Sequence, residues 1–234
     1  MKNSVVLKIC VVTLSVLLLS GYASVPANAL KYIPILKSDI KQVSFPSQYP
    51  YAMAGQVEQE TCPYLKSKLC WNPRAQLKTS REYGFGLGQT TVAYNSNGSV
   101  RFNNFLMVTR KYKELSNWKW QDRFNPKYQL MSLLLMMKSM YTFIKFPVAN
   151  DYEKMAMTFE AYNGGLGGLL QDRALCMRIR TCNAAYWFNN ISLYSTKSKK
   201  SMRGYGQSPF QISREYPFNI LKIRMQKYEP FFNQ

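Results

Sequence analysis

Short apolar runs with helical spacing dominate the chain, separated by turn-rich polar stretches. In residues 126–145, Leu130, Leu133, Leu134, Met137, Tyr141 and Ile144 recur at the spacing of a helix face. Asn125-Pro126 before them provides a cap and a first helical residue. This segment is read as the central core helix, with Met131, Met136 and Met140 as packing residues. A second helix follows Asn150 or Asp151. Its stripe is Met155, Phe159 and Tyr162, and Gly164-Gly165 ends it. Pro50 starts a shorter helix reaching about Thr61, where Cys62-Pro63 stops it. The spacing also predicts a final helix over 216–228 with Phe218, Leu221 and Met225 inward. Residues 30–49, with Pro34 and Pro46, read as an extended lead-in, and residues 166–215 as irregular. Leu106, Val108 and Leu115 are expected in the core.

The first 29 residues have the layout of an export signal. Lys2 and Lys8 form a basic start, residues 9–19 are apolar, and Ala27-Asn28-Ala29 is a small-x-small cleavage site. The apolar run is shorter than a membrane helix needs, so an uncleaved anchor is the lesser reading. Removing 29 residues from 234 leaves 205, enough for one domain over residues 50–234 behind the lead-in. Export to a periplasm or to the outside, without stable membrane insertion, is the expected location. Four cysteines remain after Cys10 leaves with the signal. Cys62–Cys70 and Cys176–Cys182 are the natural disulfides of an oxidising compartment, although four cysteines allow three pairings.

Charge and composition narrow the chemistry. With 31 Lys and Arg against 12 acids, the chain carries +19. For an exported protein this points to an anionic wall or envelope polymer rather than nucleic acid. The chain has no histidine, which disfavours Ser-His-Asp, Cys-His and His-ligated zinc chemistry. No metal or other cofactor is expected, and carboxylate acid–base chemistry is the best remaining route.

On the short helix, Met53, Val57 and Glu60 share one face, with Glu58 roughly opposite. Apolar surroundings would raise the Glu60 carboxyl; an end-of-helix Glu facing solvent is the plainer alternative. Gly84-Phe85-Gly86-Leu87-Gly88-Gln89 reads as a turn or ribbon lining a cleft, since no parallel-sheet unit precedes it to suit a dinucleotide. Ala161-Tyr162-Asn163 offers a ring face and an amide suited to a sugar. Lys197, Lys199, Lys200 and Arg203 read as a solvated basic loop.

Taken in order, Glu60-Thr61, the G-x-G-L-x-Q segment at 84–89 and Ala161-Tyr162-Asn163-Gly164 resemble the soluble-lytic-transglycosylase domain of the lysozyme-like superfamily. Cys70-Trp71-Asn72-Pro73, Ser80-Arg81-Glu82 and Trp187-Phe188 are similar to transglycosylase-like proteins of phages and mobile elements. The resemblance implies a mainly α (α+β) lysozyme-like helical domain with a small ribbon along its groove, acting as a monomer on peptidoglycan glycan strands. It implies cleavage between N-acetylmuramic acid and N-acetylglucosamine with formation of a 1,6-anhydro sugar. Glu60 matches the catalytic Glu. Thr61, Gln89, Tyr162 and Asn163 match groove positions, and Tyr216 matches a groove tyrosine whose surrounding pattern is degraded. Gly88 stands where the family carries Met, which implies a side chain missing from the groove wall. Glu58 and Glu82 are the nearest candidates for a second carboxylate of lysozyme type; solvent exposure or a salt bridge with a nearby Arg is the alternative for each. A goose-type hydrolytic lysozyme and a wall-binding protein without catalysis are the competing functions.

Overall fold

The structure, a computed structural model, describes residues 25–62, 67–202 and 206–233. It is mainly helical, with one small antiparallel sheet. Helix α4 (Pro126–Phe143) forms the centre. Its Asn125 cap accepts the Lys127 N–H at 3.0 Å, and Leu130, Leu133, Leu134 and Met137 are fully enclosed. Helices α1 (Ala27–Val43) and α5 (Asp151–Gly164) pack along it. Asn150 caps α5 by accepting the Glu153 N–H, and Gly165, at φ 80°, closes it.

Helix α1 replaces the expected extended lead-in. Pro34 lies inside it, and an interior proline costs a helix about 3 kcal/mol. Ile33, Leu36, Ile40 and Val43 are buried, each contributing about 1.5–3 kcal/mol, so burial outweighs the local penalty. Ser44, in the left-handed region, ends the helix. Ala27-Asn28-Ala29 forms its first turn; Ala29 is buried and Asn28 donates to the Cys70 carbonyl at 3.1 Å. The expected signal boundary thus falls inside α1, and residues 1–24 of that signal lie outside the described residues.

Helix α2 (Ala52–Thr61) is buried from Ala52 through Glu58, more deeply than a one-sided stripe suggests. Its length and end agree with the pattern-based reading. The sheet follows, in the order β1 (Gln76–Lys78), β2 (Glu82–Phe85), β3 (Thr90–Tyr94) and β4 (Val100–Asn103). The glycine segment forms the β2–β3 hairpin, a short ribbon as expected. Helix α3 (Asn104–Lys111) buries Val108, but Leu106 is exposed, contrary to expectation.

Residues 166–215 are not irregular throughout. Helix α6 (Leu166–Met177) lies within them, and helix α7 (Pro209–Phe218) begins in them. Both bury polar side chains, Asp172 in α6 and Ser213 in α7, which blurs the apolar period. The final helix therefore begins earlier than expected, at a Ser208–Gln211 capping box, and its line changes at the end. It passes through a π-helical segment (Asn219–Arg224) into a 3-10 segment (Met225–Phe231). Leu221 and Met225 are buried; Phe218 is largely exposed. Cys62–Cys70 and Cys176–Cys182 are paired as disulfides. No helix among the described residues is long and apolar enough to cross a membrane.

One buried amide ties the hairpin to the centre. Gln129 on α4 accepts the Leu87 N–H at 2.9 Å and donates to the carbonyls of Pro73 at 2.9 Å and Arg123 at 2.8 Å. Gly86, at φ 80°, lies so close that a β-carbon there would be 2.4 Å from the Gln129 amide. Gln129→Leu leaves three backbone groups without this partner. It should cost about 2–4 kcal/mol in denaturant unfolding, since each unsatisfied buried group costs about 1–3 kcal/mol. A loss below about 0.5 kcal/mol would show that the amide does not hold the hairpin.

Candidate functional site

The last turn of α2, the hairpin, the end of α5 and the start of α7 enclose a cavity of about 1020 Å³. Glu60, Gln89, Tyr162 and Asn163 line it, so the structure brings these four expected residues together. Arg74, Arg81, Glu82 and Arg101 add a charged wall on the sheet side.

Glu60 is half-buried at the end of α2. Burial is the main cause that raises its carboxyl from an ordinary 4.5 to about 7, while a hydrogen bond from Tyr216 opposes the rise. The Tyr216 hydroxyl donates to Glu60 Oε1. Gln56, one turn earlier on α2, donates from Nε2 to the same hydroxyl at 3.1 Å. Tyr216 comes from α7 and is buried. Desolvation and then the nearby Glu60 charge hold its phenol well above the usual tyrosine range. Tyr162 faces the same charge, and burial pushes it in the same direction. Its hydroxyl donates to the Gly88 carbonyl and joins α5 to the hairpin.

The other expected residues have more local duties. The Thr61 hydroxyl borders the cavity but donates to Val57 O at 2.7 Å and accepts the Trp71 N–H at 2.7 Å. It secures the chain after α2. Gln89, at φ 43°, donates to Gly86 O at 3.0 Å, and its Oε1 lies 2.8 Å from where a Gly84 β-carbon would be. Gly88 does not leave a gap in the groove wall. A β-carbon there would meet Leu133 at 3.1 Å and Tyr162 Oη at 3.3 Å, so this position faces the core. Asn163 is exposed at the cavity edge.

Glu58 is fully buried, not solvent-exposed. It pairs with Lys227 at 2.7 Å and Arg224 at 3.7 Å and accepts the Tyr228 hydroxyl. Lys197 likewise leaves the solvated loop expected for it. It bridges Glu160 at 2.8 Å and Asp172 at 2.9 Å, and Arg214 also reaches Asp172 at 2.9 Å. Burial raises Glu160 to about 7, with Lys197 opposing. Arg203 lies outside the described residues. Sequence reasoning missed Gln56, although its i, i+4 relation to Glu60 places it on the same face. The arginines of the sheet wall carried no such spacing signal.

No group of three or more His, Cys, Asp or Glu side chains among the described residues has metal-binding geometry. No protein-family model matches the chain, and no curated protein matches it in sequence.

A carboxyl with a raised folded pKa destabilises the protein once ionised. Glu60 therefore imposes no penalty below about 4.5, a growing one between about 4.5 and 7, and its full penalty above. Glu60→Gln, which keeps an acceptor for Tyr216, should raise the melting temperature at pH 8 and leave it nearly unchanged at pH 4.5. Glu160 is present in both proteins and cancels. Equal shifts at the two pH values would contradict the raised pKa.

Proposed function

We propose that this protein is a peptidoglycan lytic transglycosylase with a lysozyme-like helical domain, exported to the cell wall, and that Glu60 is first its general acid and then its base. One observation carries the reading. A half-buried carboxyl held near pKa 7 opens onto a cavity large enough for several sugar residues. Protonated Glu60 donates to the glycosidic oxygen as the bond from that oxygen to muramoyl C1 breaks. The muramoyl 6-hydroxyl attacks C1, and its proton passes to the ionised Glu60. The anhydro product forms without water, and the enzyme regains its starting protonation.

Tyr162, Asn163 and Gln89 line the same cavity, where an aromatic ring and amides would suit a sugar. The arginine wall suits a substrate carrying negative charge. The paired disulfides accord with an oxidising compartment. Glu82 favours one second reading, a hydrolytic lysozyme, because it also lines the cavity and would be the carboxylate that activates water. Glu58 is unsuited to that role, being enclosed with Lys227 and Tyr228.

Mass spectrometry of muropeptides released by the wild type should show 1,6-anhydromuramoyl ends. Glu60→Gln should lower the rate by about 10²–10⁴, and Glu82→Gln by less than about threefold. Reducing muramic acid ends together with a large loss in Glu82→Gln would establish the lysozyme reading. Binding of peptidoglycan without cleavage by either the wild type or Glu60→Gln would leave only a wall-binding role.

The pH profile is a separate check. The acid must be protonated at the start, so kcat/KM should fall as pH rises through about 7. Tyr216 stabilises the ionised form, so Tyr216→Phe should move this limb to higher pH. A limb that stays in place or moves lower would break the assignment.

A further inference from the structure

Gln56 is fully enclosed. Its Nε2 donates to Tyr216 Oη at 3.1 Å, while its Oε1 is buried and has no hydrogen-bond partner among the described residues. An apolar side chain would fill this core position without leaving a polar atom unsatisfied. The amide has one visible polar duty, and that duty is toward Tyr216.

That duty has a directional consequence. A phenol has one proton to donate. Because Tyr216 receives the amide N–H, its own proton goes to Glu60 Oε1. Among the described residues the one hydrogen bond to the Glu60 carboxyl is that of Tyr216 to Oε1, and Glu60 lines the cavity. With Oε1 already accepting from Tyr216, a proton bound by Glu60 resides on Oε2, on the substrate side.

We propose that Gln56 is a positioning residue: it fixes Tyr216 as a donor to Glu60 Oε1 and so makes Oε2 the atom that delivers and recovers the proton. This rests on the transglycosylase reading for its catalytic meaning. The hydrogen-bond chain itself can be tested without turnover.

Other charges around Glu60 do not replace this chain. Tyr162 approaches from α5, and its hydroxyl is committed to Gly88 O. Glu82, Arg74, Arg81 and Arg101 are on the sheet wall, and Lys197 is paired with Glu160 and Asp172. Glu58 is turned toward Lys227 and Arg224.

The experiment compares Gln56→Met and Gln56→Glu with the wild type, each also in a Tyr216→Phe background. Three quantities are followed: kcat and KM on peptidoglycan, the alkaline limb of kcat/KM, and the Glu60 carboxyl titration by 13C NMR. Gln56→Met makes Tyr216 a weaker donor, so the Glu60 titration and the limb should move to higher pH. Its kcat should fall about tenfold with KM little changed, and its melting temperature should hold or rise. Gln56→Glu draws the phenol proton away from Glu60 and should move the titration further. In the Tyr216→Phe background Gln56→Met should shift the titration no further, whereas Gln56→Glu keeps the direct effect of its added charge.

A Gln56→Met protein with an unshifted titration overturns the proposal. So does an equal shift in the Tyr216→Phe background, or a fall in kcat that simply follows a lower melting temperature. If the wild type releases no anhydro product but the titrations shift as expected, the hydrogen-bond chain stands and the transglycosylase reading fails. If anhydro product forms and the titrations do not shift, the failure is that of Gln56 alone.

Discussion

Helix α2 carries two glutamates two residues apart, and the burial of Glu58 sets the position of Glu60. Lys227 and Arg224 surround the Glu58 carboxylate, and Tyr228 donates to it while accepting the Trp71 indole N–H at 2.8 Å. An ion pair this deep is a poor source of net stability, since the desolvation of its charges offsets much of their attraction. Removing one partner is nevertheless costly, so the pair allows little freedom in how α2 meets the C-terminal segment. Gly55 allows that meeting to be close: a β-carbon there would lie 3.2 Å from the Met225 backbone. The same helix then presents Glu60 at its end, where no cation among the described residues pairs with it.

A second charged cluster gives the opposite wall its shape. Lys197 and Arg214 converge on Asp172, with Glu160 completing the group, so α5, α6, α7 and the loop before α7 are joined. Ser195 adds a hydrogen bond to Asp172 at 2.8 Å. Tyr162 and Asn163 come within one turn after Glu160 on α5, and Tyr216 soon after Arg214 on α7. The groove residues thus stand beside buried charge pairs on both walls. This is how a largely polar site is held by elements with modest apolar stripes.

Much of this was legible in the chain itself. The strongly periodic helices α4 and α5 and their Asn caps follow from local chemistry that the tertiary structure leaves intact. The end of α2 at Cys62-Pro63 is equally local. Helix α1 was hidden by Pro34, because propensity is local while the burial that overrides it comes from α4. Helices α6 and α7 were hidden because their inward faces include Asp172 and Ser213, which pattern reading counts as outward. The charges of Glu58 and Lys197 were misplaced for the same reason: a single chain shows a charge but not its partner 169 or 37 residues away. Glu60 was legible because its neighbours one turn away are on the same helix. Gln56 is equally near but carries no signal of its own in the chain, since its meaning depends on Tyr216, 160 residues later.

The proposed chemistry asks one side chain to give a proton and then recover one. Neither a fully desolvated carboxyl nor a strongly paired one suits both halves, because the first holds its proton too firmly and the second holds none. Around Glu60 the two influences oppose each other. Burial favours the acid, and Tyr216 favours the carboxylate, with desolvation the larger effect. Replacing Tyr216 by a cation would shift the balance toward the ionised form, and removing every donor would shift it toward the acid. A neutral phenol, itself fixed by a neutral amide, gives a bias small enough to leave the group near pKa 7, where acid and base forms are both accessible. That no cation among the described residues pairs with Glu60 is then as much a part of the site as the tyrosine that is present, and it contrasts with the cations gathered around Glu58 on the same helix.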